Sequence, residues 1–254
     1  MFNPENFTLK GRRTLITGGS SGLGAAMAEA FVRLGAEVVI NGSGTERLEA
    51  AAAALAEAGA PVATVRGDLA VEAEAVVDQA AEKLGGLDIV IHSAAIRNRA
   101  GTASIDADAF RHILDVNLTA SYTLACAALA HLAKSDAGRL IFVTSLAATQ
   151  ARPGDPAYTA SKGGVSALTR SLAVEFGSDT LTVNAISPGM FATDYNKPMV
   201  GDPRVTAFVN LRNPLKRWGR PEELTSAAMF LALPASGYVN GVVLPVDGGH
   251  SAQM

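Results

Sequence analysis

Three residues have types and spacing that could move a proton. Tyr158 and Lys162 stand four apart in Tyr158-Thr159-Ala160-Ser161-Lys162, at the start of a helical pattern, so their side chains share one helix face. Ser145 closes the apolar run 139–145, thirteen residues before the tyrosine. A free phenol titrates near pH ~10, too high for a base at neutral pH, but an ammonium group a few Å away favours the phenolate. On the Tyr/Lys spacing alone, a packed tyrosine and a solvated lysine remain the simpler reading.

A second constellation shifts that balance. Thr17-Gly18-Gly19-Ser20-Ser21-Gly22-Leu23-Gly24 follows the β-branched run 13–17 and leads directly into a helical pattern. Glycines there permit a tight turn and let the backbone approach a pyrophosphate, while free N–H groups at the helix N-terminus face its charge. The lysine followed by Ser/Thr of a Walker A loop is absent. Taken alone, a glycine-rich loop is a weak signal, since a structural turn is the lesser but standing alternative.

Short strand-like runs at 13–17, 37–41, 62–66, 88–92, 139–145, 181–187 and 241–246 alternate with helical patterns near 22–34, 45–58, 71–84, 106–134, 157–177 and 221–232. This rhythm predicts an α/β fold, a doubly wound, seven-stranded parallel sheet with helices on both faces. The carboxyl ends of its strands would bring Ser145 to the tyrosine and lysine. No linker breaks the rhythm, so residues 1–254 read as one domain. Segment 189–220, with Gly189, Pro198, Gly201, Pro203, Pro214 and Gly219 in weak periodicity, reads as an irregular substrate-binding lid.

Composition excludes several classes. The 254 residues are 48% hydrophobic and 18% charged, with 21 basic against 24 acidic side chains and no Lys/Arg block, so nucleic acid is not an expected partner. The single cysteine, Cys126, excludes an intramolecular disulfide and a cysteine-rich zinc site, and it reads as a small buried residue; no metal is expected. The N-terminus lacks a signal-peptide pattern and no apolar run approaches the ~18 residues that span a bilayer, so a cytoplasmic protein without membrane contact is expected.

With TGxxxGxG at 17–24, Ser145 and the Tyr158/Lys162 pair, the chain resembles the short-chain dehydrogenase/reductase family over essentially its whole length. The resemblance implies a Rossmann-type sheet, a nicotinamide cofactor, and hydride transfer to or from a carbonyl carbon. It implies Tyr158 as general acid/base, Ser145 holding the substrate oxygen, and Lys162 binding the nicotinamide ribose while lowering the tyrosine pKa. Asn117 would be the fourth member, carrying a proton relay to water. The implied cofactor site has Gly18, Ser20, Ser21, Gly22, Leu23 and Gly24 at the pyrophosphate, and Asn41 and Ser43 after the second strand. Asp68 and Leu69 would lie at the adenine, Ser93, Ala94 and Ala95 along the ribose, and Pro188, Gly189, Phe191 and Thr193 beside the nicotinamide. Val246-Asp247-Gly248-Gly249 closes the pattern. One departure is His92-Ser93-Ala94-Ala95, where the family usually has Asn-Asn-Ala-Gly.

Gly42 stands where NAD enzymes normally carry an acid for the ribose hydroxyls, which admits a 2′-phosphate. Ser21 and Ser43 occupy positions often basic, with Arg47 nearby, and the expectation is NADP(H) in preference to NAD(H). Segments 94–99, 151–153, 192–196 and 216–223 are similar to the gluconate 5-dehydrogenases and their sugar-acid relatives, which implies interconversion of an aldonate and its keto acid. Arg99 is the candidate for the substrate carboxylate, beside Ser145 and Tyr158; Arg97 and Lys197 could do the same, and a solvated arginine is an equal alternative. The runner-up is a 3-oxoacyl-[acyl-carrier-protein] reductase, and a distant third is an NADP-binding sensor without turnover. The resemblance also implies a homotetramer built through helices 106–134 and 157–177, although Ala125, Ala127, Ala128, Gly163 and Gly164 suit packing within one subunit equally well.

Overall fold

The β-branched runs form one seven-stranded, all-parallel sheet in a computed structural model that describes residues 3–57, 59, 61–151 and 153–253. The strands are β1 (Arg13–Thr17), β2 (Glu37–Gly42), β3 (Ala63–Arg66), β4 (Ile89–His92), β5 (Gly138–Val143), β6 (Leu181–Pro188) and β7 (Val243–Val246), in the order β3-β2-β1-β4-β5-β6-β7. Chain direction across the sheet reverses between β1 and β4, which opens a crevice at their carboxyl ends.

Alternation along each strand builds two cores. Leu15, Val39, Val90, Leu140 and Phe142 face α3 (Leu69–Leu84), α5 (Ala120–Leu132) and α6 (Pro156–Phe176). Their neighbours Ile16, Ile40, Ile89, Ile91, Ile141 and Val143 face α1 (Gly22–Arg33), α2 (Thr45–Ala56) and α9 (Thr225–Ala232). Both faces are therefore covered, which is why the strands read as continuous apolar runs.

Helix starts follow local chemistry. Asp68 caps α3 by accepting from the Ala70 N–H at 3.0 Å, and Asp106 caps α4 (Ala107–Leu114) through the Ala109 N–H at 2.8 Å. Pro156 opens α6 at a position where a missing N–H costs nothing.

Four expectations are corrected. The helix expected over 106–134 contains a π-helical turn, Asp115–Thr119, between α4 and α5. The continuous segment Ala107–Leu132 is long and apolar enough to cross a membrane by length and composition, contrary to the sequence reading, but Ala120, Leu124, Ala125, Ala128 and Leu132 bury it against the sheet. Cys126 is exposed, because it lies on the face of α5 opposite that stripe. Segment 189–220 holds regular structure, α7 (Lys197–Val200) and α8 (Pro203–Arg212), the latter started by Pro203 and capped by Asp202. Arg152, in one of the resembling segments, lies outside the described residues.

At the amino end of the sheet, Asp88 clamps β1 to β4. It accepts from the Arg13 N–H at 2.9 Å, from the Arg13 guanidinium at 2.9 and 2.8 Å, and from the Ser135 hydroxyl at 2.7 Å. Burial alone would raise this carboxyl, but the Arg13 and Ser135 hydrogen bonds win and hold it at about 2. A depressed carboxylate stabilises the fold above its unfolded pKa and loses that contribution as pH falls through the folded one. Asp88→Asn is therefore expected to cost about 2 kcal/mol at pH 7, with the difference from wild type closing between about pH 4 and pH 2, read by urea denaturation across pH.

Candidate active site

The glycine loop makes a cradle at the crevice. Gly18 and Gly22 have φ of +65° and +55°, a left-handed backbone that favours glycine. A Cβ on Gly18 would lie 2.9 Å from the Ala94 backbone, and one on Gly24 only 2.2 Å from the Gly18 carbonyl oxygen. The loop thus closes tightly on Ser93 and Ala94 and on the start of α1, whose N-cap Ser21 makes no side-chain capping bond. Free helix N–H groups behind close-packed glycines fit a pyrophosphate. Thr193 sits across the mouth, its methyl 3.6 Å from where a Gly22 Cβ would be.

The rest of the expected cofactor set divides. Ser20 lies against Gly42, Ser43 and Ala95 are exposed, and Asp68 is exposed at the α3 N-terminus with Leu69 buried behind it. Pro188 ends β6, and Gly189 permits close approach of the Asp247 backbone, 2.7 Å from a Cβ there. Asn41 and Phe191 turn their side chains inward. The Asn41 amide donates to the Val65 and Gly67 carbonyls at 3.0 and 3.2 Å, and Phe191 packs in the core against Gly219. Sequence reading missed Arg66, the register partner of Gly42, a second exposed cation beside Arg47 at this edge.

Ser145, Tyr158 and Lys162 come together where β5 meets α6. The strand ends at Val143, two residues earlier than expected, because Ser145 instead caps the turn Leu146–Ala148 by accepting from the Ala147 N–H at 3.1 Å. Lys162 is buried, donates to the Val143 carbonyl at 2.8 Å, and has its Nζ 5.9 Å from the Tyr158 ring centre. Burial lowers its pKa to about 8. Burial raises the Tyr158 phenol; the Arg97 charge, a hydrogen bond with Ser145 and the Arg99 charge pull it back, while Asp155 adds to the rise.

Asn117 occupies the π-turn, fully buried. Its side chain accepts from the Ile96 N–H at 2.8 Å and donates to the Ile96 carbonyl at 2.9 Å and the Ser161 hydroxyl at 3.1 Å, tying the loop after β4 to α6. The departure at His92 has its own bonding. The Thr17 hydroxyl accepts from the Ser93 and Ala94 N–H groups at 3.2 and 3.4 Å and shares a hydrogen bond of 2.8 Å with His92 Nδ1, while the buried His92 Nε2 has no hydrogen-bond partner among the described residues. Burial, then the Lys162 charge, keep this imidazole neutral, with a pKa of about 3.

A cavity of about 510 Å³ lies between the loop after β4 and α8, lined by Arg99, Asp155, Met190, Met199, Arg204 and Phe208 among others; Ser145, Tyr158 and Lys162 do not line it. Arg99 donates to Asn196 Oδ1 at 3.0 Å and packs 5.0 Å over the Tyr195 ring, so it joins the loop after β4 to segment 194–199.

A parallel sheet with a glycine cradle at its switch point, and a Ser/Tyr/Lys cluster one strand away, defines a dinucleotide-dependent oxidoreductase. Residues 18–251 match the family model described as enoyl-(acyl carrier protein) reductase. The chain is 36% identical to gluconate 5-dehydrogenase of Gluconobacter oxydans over the whole of both chains. It is also 36% identical to 3-oxoacyl-[acyl-carrier-protein] reductase of Vibrio harveyi, over 95% of this chain and 98% of that one. The structure of a gluconate 5-dehydrogenase from Burkholderia cenocepacia in complex with NADP and tartrate matches with a TM-score of 0.92 at 32% identity, covering 98% of this chain and 99% of that one. The chain belongs to the short-chain dehydrogenase/reductase family and is an oxidoreductase acting on CH–OH groups with a nicotinamide cofactor.

Because a methyl on Gly24 would collide with rigid backbone, Gly24→Ala is expected to abolish binding of the reduced nicotinamide cofactor, read as loss of nicotinamide fluorescence enhancement, while the protein stays folded by circular dichroism.

Proposed function

We propose that this enzyme interconverts a hydroxy acid and its keto acid, of the gluconate/5-ketogluconate type, with NADP(H) as cofactor. The observation that carries the reading is Arg99 at the cavity, near enough to Tyr158 for its charge to act on the phenol. A substrate carboxylate held there would present its carbonyl towards Ser145 and Tyr158.

In this mechanism Gly18, Ser20, Ser21, Gly22, Leu23 and Gly24 hold the pyrophosphate, and Asp68, Ser93, Ala94, Pro188, Gly189 and Thr193 line the rest of the dinucleotide. When bound, the nicotinamide accepts or supplies the hydride. In the oxidising direction the Tyr158 phenolate takes the proton from the substrate hydroxyl, and in reduction the phenol returns it to the carbonyl oxygen. The Ser145 hydroxyl holds that oxygen, and the Lys162 ammonium supports the phenolate until it loses its own proton, half of it gone at about pH 8. The relay role of Asn117 rests on the family resemblance; its side-chain bonds to Ile96 and Ser161 hold the loop after β4 against α6.

The missing acid at Gly42, with Arg47 and Arg66 at the same edge, supports NADP(H). A tetramer is supported by Tyr122, Val174 and Phe176, exposed on α5 and α6. Ala125, Ala128 and Gly164 serve packing within the subunit, the last accommodating Leu118. Met190, Met199, Val205 and Phe208 at the cavity favour a second reading, an acyl thioester substrate, whose apolar chain they would cover.

A panel of keto acids, 3-oxoacyl thioesters and simple ketones with NADPH decides among these, and cofactor binding with no oxidation of NADPH on any of them would mean a sensor. Arg99→Ala is expected to raise KM for 5-ketogluconate by about tenfold or more, the loss of a charge-assisted contact. An unchanged KM, with Tyr158→Phe abolishing turnover, would remove the carboxylate assignment. NADPH should give the higher kcat/KM, and Gly42→Asp should move preference towards NADH; comparable values for the two cofactors in the wild type would overturn the preference.

A further inference from the structure

The loop after β4 lays a second cation on the tyrosine. The Arg97 guanidinium carbon lies 4.5 Å from the centre of the Tyr158 ring, closer than Lys162 Nζ at 5.9 Å. It is held in that position from three sides. Arg97 Nε donates to Asp155 Oδ1 at 2.9 Å and a second guanidinium nitrogen bonds Oδ2, so the fork is bidentate and planar. The Arg97 carbonyl accepts from the Tyr195 hydroxyl at 3.4 Å, and the preceding residue, Ile96, is fixed at both N–H and carbonyl by Asn117. Asp155 itself is only 2% exposed and immediately precedes Pro156, the first residue of the helix that carries Tyr158.

A guanidinium stacked on a phenol ring favours the anionic form more than the neutral one, because the phenolate charge delocalises into the ring beneath it. We propose that Arg97 is a positioning residue that stabilises the Tyr158 phenolate from the ring, and that Asp155 both seats it there and moderates its charge. This rests on the reading of Tyr158 as the acid/base group. Among the described residues, the charged and polar groups facing Tyr158 are Arg97 and Arg99 from the loop after β4, Asp155 before α6, Lys162 on α6 and Ser145 after β5. Of the cations, Arg97 contributes the largest pull on the phenol, and Asp155 opposes it. The two partners of one ion pair should therefore act on Tyr158 with opposite sign, which a purely structural bridge would not do.

The test follows Tyr158 itself, by NMR of full-length protein labelled with [13Cζ]tyrosine in the presence of the oxidised cofactor. Tyr158→Phe assigns its signal among the four tyrosines. Arg97→Met, which keeps packing and removes charge, is expected to raise the Tyr158 midpoint by about one pH unit, a tenfold loss of phenolate below it. Arg97→Lys should raise it less, and Asp155→Asn should lower it. The acid limb of kcat/KM for alcohol oxidation should follow the same order. An unmoved midpoint in Arg97→Met, or movement of Arg97→Met and Asp155→Asn in the same direction, overturns the proposal. If Asp155→Asn does not fold, the arginine variants decide, and equal midpoints in Arg97→Met and Arg97→Lys overturn it. Midpoints that shift as expected in a protein with no turnover on any substrate would leave this inference standing and remove the proposed function.

Discussion

An ammonium group taken out of water at the end of β5 is the constraint on which the rest of the site depends. Lys162 is buried and, among the described residues, donates to the Val143 carbonyl alone, so its charged form is held weakly. That charge dictates what can stand nearby. A second cation in contact would be costly, and His92, which feels that charge, is kept neutral by burial and by Lys162, with its Nδ1 bonded to the Thr17 hydroxyl. The cation that does approach Tyr158, Arg97, arrives already paired with a carboxylate.

The two ends of the sheet divide the work. At the amino end Asp88 gathers Arg13 and Ser135 into one charge-assisted cluster and locks β1 to β4 where nothing needs to open. At the carboxyl end the same two strands are joined by a single hydroxyl, Thr17 Oγ1, which takes two backbone N–H groups and the imidazole. A neutral hydroxyl leaves the crevice floor without net charge, so the helix N-terminus behind Gly22 and Gly24 provides the field for a pyrophosphate.

Local rules made much of this legible. Short, continuous apolar runs located all seven strands, because a parallel sheet covered on both faces leaves little else those runs could be. The Tyr158/Lys162 spacing and the strand-end serine converged as expected, since a helix turn and a strand end fix them locally. What escaped was set by tertiary context. The π-turn at Asp115–Thr119 has no distinctive composition, yet it aims Asn117 at Ile96 and Ser161. Cys126 looked buried because its neighbours are apolar, although the helix turns it outward. Segment 189–220 looked irregular because α7 and α8 are short and proline-started, with packing rather than periodicity defining them.

The loop after β4 joins these parts into one mechanical unit. Ser93 and Ala94 abut the glycine cradle, Ile96 is gripped by Asn117, Arg97 lies on the Tyr158 ring, and Arg99 reaches Asn196 and Tyr195. The stretch 93–99 thus links the glycine cradle, the Asn117 side chain, the Tyr158 ring and the segment over the cavity. Arg99 at the cavity and Arg97 on the Tyr158 ring stand two residues apart on backbone that Asn117 pins at Ile96.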